Sequence, residues 1–193
     1  MGSSQSYPGL TEDLLDDYTN LTYLKKGEIL HLMKKFNSID PEKLEADYHH
    51  RFPKEDIMKK FGALRNNPFS DRIFRVFSSK QDDCFSFEDM LDLCSVMSSD
   101  CPPEVKAAWA FRIFDIDEDN QITESDICEI INRLTAPEPT TGERYLDECS
   151  KEKIAKIILE EISLDKNGGI AAAEFKYMIS RLSEFETSFY FRL

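Results

Sequence analysis

The sequence predicts an all-α protein of two lobes, each made of two paired helix-loop-helix units, followed by a C-terminal extension. Three observations carry this reading. Apolar residues recur at i, i+3, i+4 and i+7 on both sides of a polar segment. The arrangement occurs four times, and in three of them the segment is twelve residues long. Pro102 and Pro103 fall between the second and third occurrences, where a lobe boundary is expected. One unit cannot bury its own apolar stripe, so four units imply two pairs.

Residues 1–20 read as an N-terminal arm. The opening MGSSQS matches M-G-x-x-x-[ST], with Gly2 as the acceptor of a myristoyl chain and Ser6 at the selective place. A single chain anchors only marginally, so a membrane-tethered partner would supply a second attachment. The N-terminal lobe covers 21–100. In its first unit Ile29, Leu32, Met33 and Phe36 lead into a loop of twenty residues, 37 to 56, and Ile57, Phe61 and Leu64 leave it. The second unit has Ile73, Phe74 and Phe77 before a loop starting at Ser78, then Met90, Leu93, Cys94 and Met97.

The C-terminal lobe covers 101–182. Ala107, Ala110, Phe111 and Phe114 precede the third loop, and Ile127, Ile130, Ile131 and Leu134 follow it. After a polar connector, APEPTTGE from Ala136 to Glu143, the pattern returns with Ala155, Ile158, Leu159 and Ile162. Phe175, Met178, Ile179 and Leu182 lie beyond the fourth loop. Position eight of the regular loops, Phe85, Ile122 and Ile170, is apolar, as a short strand joining the two loops of a lobe requires.

The loops differ in their oxygens, and hard divalent cations want oxygen ligands at alternating positions. Loop three, from Asp115 to Asp126, offers Asp115, Asp117, Asp119, the backbone carbonyl of Gln121, Thr123 directly or through water, and Asp126. Its spacing follows the calcium loop of EF-hand proteins except at two places. Asn120 stands at position six, where Gly is usual, and Asn tolerates the left-handed backbone needed there. Asp126 stands at position twelve in place of Glu, one methylene shorter. That shortening makes bidentate coordination harder and favours the smaller, six-coordinate magnesium, so a mixed magnesium and calcium site is expected.

Loop four, Ser163 to Glu174, keeps Gly168 and Glu174 but begins with Ser163 instead of Asp. Ser163, Asp165, Asn167, the carbonyl of Gly169 and Glu174 are its candidate ligands, with Lys166 among them and Ala171 offering no side-chain oxygen. Weak calcium binding and an empty structural loop follow equally from these residues. Loop two, SSKQDDCFSFED, places Lys80 at a ligand position, so a divalent ion would meet a cation and the loop is expected to be empty. Loop one carries His49, His50 and Arg51, with no third ligand in register for a transition metal, and reads as a solvated loop.

Composition narrows the function. With 37 acidic against 24 basic side chains and a formal charge of −13, the chain would repel nucleic acid and attract cations or basic peptides. No apolar run is long enough to cross a bilayer and no signal peptide opens the sequence, so a soluble, non-secreted protein is expected. Five cysteines without CxxC spacing argue against a disulfide framework or zinc, and a reducing compartment fits. Nucleophile elbow, phosphate loop, zinc motif and dinucleotide fingerprint are all missing, which argues against an enzyme.

The segments LTYLKKGEI (21 to 29), NPFSDRIFRVFS (67 to 78), FSFEDMLDLCSVMS (85 to 98), AFRIFDIDEDN (110 to 120) and SEFETSFYFRL (183 to 193) resemble the calcium- and integrin-binding proteins, EF-hand proteins related to calcineurin B. The resemblance spans nearly the whole chain. It implies two degenerate N-terminal hands, metal in the third and fourth, and Asp at position twelve of the third. It also implies myristoylation, and binding of helical segments from cytoplasmic tails of membrane proteins, either integrin α tails or channel subunits. The expected protein is therefore a cytoplasmic, peripherally membrane-associated adaptor, with a divalent-cation buffer as the alternative.

A helical partner would lie in an apolar groove. Phe111, Phe114, Ile130, Ile131, Leu134, Ile158, Leu159, Met178, Ile179 and Leu182 are its candidate lining. The tail, residues 183–193, carries Phe185, Phe189 and Phe191, too much apolar surface to leave in water. It is expected either to occupy part of the groove as a displaceable lid or to finish the core.

Overall fold

The computed structural model describes residues 7, 9–135, 146–162, 168–179 and 181–182. The chain divides into two compact units between Cys101 and Pro102. Gly2, Ser163, Asp165, Asn167, Phe185, Phe189 and Phe191 lie outside the described residues.

The first unit begins with α1 (Glu12–Leu21), in the segment expected to be an arm. Thr11 caps it, its hydroxyl oxygen accepting from the Leu14 N–H at 3.2 Å, and acidic Glu12 and Asp13 fill its first turn. Leu15 and Tyr18 are buried, and the Tyr18 ring meets Phe87 edge-on at 5.9 Å. Helix α2 (Lys26–Asn37) follows. The long first loop contains α3 (Pro41–Ala46), which starts on an Asp40 cap with Pro41 at the first helical position. Next come β1 (Phe52–Pro53), α4 (Lys54–Lys60) and α5 (Gly62–Arg65). The last two replace the single exit helix that the spacing predicts: Phe61 leaves helical geometry at φ −109°, ψ 77°, with its ring fully buried. Helix α6 (Ser70–Phe77), β2 (Cys84–Phe85) and α7 (Phe87–Val96) complete the unit.

In the second unit α8 (Pro103–Phe114), β3 (Gln121–Thr123) and α9 (Glu124–Leu134) form one helix-loop-helix. The other consists of α10 (Glu148–Ile162), β4 (Gly169–Ala171) and α11 (Ala172–Ile179). Helix α8 packs on α11 and α9 on α10. The Phe175 ring meets Phe111 at 5.8 Å and Phe114 at 6.3 Å. Lys151 on α10 is buried and donates to Asn132 on α9 and to Glu148.

The loops of each unit are joined as position eight predicts. Phe52 pairs with Phe85 in one unit, and Ile122 with Ile170 in the other, both antiparallel. Phe52, Phe85, Ile122 and Ile170 are all buried, so each strand pair is also a piece of core. One expectation fails here. The segment His49–His50–Arg51 is not a solvated loop throughout, because the Arg51 side chain is only 13% exposed. The strand that starts at Phe52 lays it across loop two.

Candidate metal centre and partner surface

Loop three is shaped by its own carboxylates. Glu118 and Asn120, at positions four and six, take left-handed backbone with φ 62° and 69°, and the turn closes with Asn where Gly is usual. Asp115 accepts the Asp119 and Asn120 N–H groups, each at 3.1 Å. The Gln121 N–H donates to Asp119 at 2.8 Å. Asp126 bridges the loop's two ends: one oxygen accepts the Ile116 N–H at 3.0 Å. The other accepts the Thr123 N–H at 2.9 Å and the Thr123 hydroxyl at 2.8 Å. Because Asp126 is also the third residue of α9, the same bonds cap that helix.

These turns bring oxygens of Asp115, Asp117 and Asp126 within 4.8 Å of one another. Asp115 and Asp126 are buried and Asp117 is exposed. Burial pushes the Asp115 carboxyl above its usual range, against the backbone hydrogen bonds from Asn120 and Asp119, and the charges of Asp119 and Asp126 push the same way. Buried carboxylates crowded like this are relieved by a cation, and an all-oxygen set fits a hard divalent ion. Asp119 is not in the close trio; its carboxylate turns to the Gln121 N–H. Gln121 and Thr123 sit in β3, with the Thr123 hydroxyl engaged by Asp126.

Of loop four, Gly168 takes the left-handed turn at φ 84°, and Gly169 begins the strand paired with Thr123. Glu174 accepts the Ala171 N–H at 2.8 Å, the relation that Asp126 has to Thr123.

Loop two has the backbone of a metal loop. Its positions four and six, Gln81 and Asp83, are left-handed at φ 52° and 57°, as in loop three. Asp89, at position twelve, accepts the Ser79 N–H at 3.1 Å and the Ser86 N–H at 3.0 Å, repeating the bonds of Asp126 to positions two and nine. Its centre contains Arg51. The guanidinium donates to both Asp82 oxygens at 2.8 and 3.2 Å and to Asp89 at 2.7 Å. It also reaches the Ser78 and Ser79 hydroxyl oxygens, each at 2.9 Å, and the Cys84 carbonyl at 2.6 Å. The cation that a divalent ion would meet is therefore Arg51, whereas Lys80 is exposed. Sequence reasoning missed this residue. Its signal was a cation just before the apolar strand position of a loop whose neighbour holds unmatched carboxylates.

The residues expected to line a groove separate by burial. Phe111, Leu159 and Ile179 are core. Phe114, Ile130, Ile131, Ile158 and Met178 are half-buried, and Leu134 and Leu182 are 63% and 58% exposed. The stripes of the first unit that correspond to those of α9 and α10 behave otherwise: Ile57, Phe61 and Leu64 after loop one, and Ile73, Phe74 and Phe77 before loop two, are at most 3% exposed. Among the described residues no helix is long and apolar enough to cross a membrane.

With this geometry in view, the full chain is similar to proteins named "Calcium and integrin-binding family member 2". The Homo sapiens protein is 32% identical and the Danio rerio protein 34% identical, each with the whole of both chains covered. The Drosophila melanogaster protein is 32% identical, with 95% of this chain and 96% of the relative covered. No family model matches the chain.

Proposed function

Because the chain belongs to the calcium and integrin-binding family, we propose that it is a cation-regulated adaptor and not a catalyst. Its second unit holds calcium or magnesium in loop three and takes a helical segment from the cytoplasmic tail of an integrin or channel-type membrane protein. Myristoylation at Gly2 adds reversible membrane association, which places the protein in the cytoplasm at the membrane periphery.

The observation that carries this reading is the contrast between the two units. Stripes of the same period are sealed in the first, while in the second α9 and α10 leave Ile130, Ile131, Leu134 and Ile158 incompletely covered. An amphipathic helix would cover such a surface with its own i, i+3, i+4 and i+7 residues. The net charge of −13 favours a partner segment with basic residues flanking that face.

Calorimetry of the full chain with synthetic integrin α-tail and channel-tail peptides, in calcium, in magnesium and in chelator, tests the proposal. Saturable binding that weakens when Leu134 is changed to Asp is expected. Binding insensitive to that change, or none with any peptide, would overturn it. Mass spectrometry after coexpression with the transferase checks Gly2, and an unmodified N-terminus would remove the membrane component.

A further inference from the structure

Loop two is folded as a metal loop but is filled from within. We infer that Arg51 is its resident cation: the guanidinium holds the first unit in a metal-loaded shape without metal, and by occupying the centre it closes loop two to divalent ions.

Apart from the Ser79 hydroxyl at position two, the acceptors are ligand positions of the loop. Counting from Ser78, Arg51 donates to position one (Ser78), position five (Asp82), position seven through its carbonyl (Cys84) and position twelve (Asp89). These are the groups an ion would take in such a loop. All three guanidinium nitrogens are used, and the fork matches Asp82 through two bonds. The side chains of Arg51 and Asp89 are 13% and 3% exposed, so this is an internal charge pair and not a surface one. Asp82 answers to the same cation, its carboxyl held far below the usual carboxylate range first by the Arg51 hydrogen bond.

Strand register explains how loop one supplies the charge. Phe52 pairs with Phe85 as Ile122 pairs with Ile170, so Arg51 and Gln121 hold equivalent places one residue before the strand's central pair. Gln121 is neutral, and its side chain lies against Gly169. Only the first unit therefore has a positive side chain at that place. Tethered to the same unit, the guanidinium is present at a local concentration that cellular calcium does not change, so the first unit should not follow calcium. The inference is independent of the adaptor reading, which concerns the second unit.

The test uses the full chain and calcium titrations followed by the backbone amide resonances of Ser79 and Ser86. In the unaltered protein millimolar calcium should leave both unmoved. Lys80→Asp restores a carboxylate at position three, and with Arg51 in place both amides should still be silent. Combining Lys80→Asp with Arg51→Met should open the loop: both amides shift and the calcium stoichiometry rises by one. In chelator, Arg51→Met alone should lower exchange protection at Ser79 and Ser86 by more than tenfold, and Arg51→Lys should recover only part of it. Calcium-dependent shifts at Ser79 and Ser86 in Lys80→Asp alone would overturn the inference, as would a folded double variant that gains no site. If the double variant does not fold, Lys80→Asp decides by itself, silence supporting the inference and shifts refuting it.

Discussion

Asp126 and Asp89 show what one methylene decides. Each closes its loop at position twelve and spends its oxygens on backbone N–H groups at positions two and nine. A Glu, one methylene longer, would bring both carboxylate oxygens onto a large ion, so Asp126→Glu should raise the calcium-to-magnesium affinity ratio by on the order of tenfold. Parallel titrations of both ions check this, and an unchanged ratio would show that position twelve does not set ion preference. At Arg51 the comparable experiment reads stability. Removing one partner of a buried pair strands the other charge, so Arg51→Ala should cost about 3–5 kcal/mol in urea unfolding. The pH dependence has a definite sign. Asp82 has a folded pKa below its unfolded value of about 3.9, so its contribution is full above that value and is lost as pH falls through the folded pKa. Asp82→Asn should flatten that acid limb. A limb of unchanged steepness would mean that the pair contributes nothing measurable. Asn120 was readable in the sequence because left-handed geometry is a local property of a residue. Arg51 was not, because its partners lie in another loop and only the strand register brings them together.

At the scale of elements, the i, i+3, i+4 stripe marks a helix face without saying what covers it. Leu93 on α7 and Leu134 on α9 belong to the same periodic pattern, yet one is fully buried and the other 63% exposed. The stripes therefore made the helices legible, and the apolar residues Phe85, Ile122 and Ile170 at position eight made three strands legible, whereas Phe52 was hidden by the irregular length of loop one. The stripes could not separate core from open surface, which depends on the neighbouring helix. Helix α1 was hidden for a different reason: Thr11, Glu12 and Asp13 form a start signal, but only Leu15 and Tyr18 of its face are buried. The break at Phe61 was masked because Ile57, Phe61 and Leu64 keep helical spacing across it. The difference between stripes predicts a separation of effects. Leu134→Ala should weaken peptide binding about tenfold while changing stability by less than about 0.5 kcal/mol. Leu93→Ala should cost about 2–5 kcal/mol and leave the affinity of the folded protein near its starting value. Unfolding curves paired with calorimetry measure both, and equal stability losses would show that Leu134 belongs to the core.

For the whole molecule, the consequence is a division of labour by charge. The second unit gathers Asp115, Asp117 and Asp126 with no basic side chain at the place equivalent to Arg51, whereas the first unit's loop carboxylates are already answered by a guanidinium. A free ion gains most where carboxylates crowd without a cation, so calcium should act on 102–182 and leave 9–101 as it was. The single tryptophan, Trp109, lies on α8 in the responsive unit, with the Arg112 guanidinium 4.6 Å from its ring centroid. Its fluorescence should therefore change with calcium, and peptide-resolved hydrogen exchange should slow in α8, α9 and the β3–β4 pair. Protection in α2, α6 and α7 should stay constant between chelator and saturating calcium. Because binding to the native state stabilises by mass action, the thermal transition of the second unit should also rise with calcium concentration. Calcium-dependent slowing of exchange in α7 comparable to that in α9 would refute the division, since it would require either an ion in loop two or coupling that carries the response into the first unit.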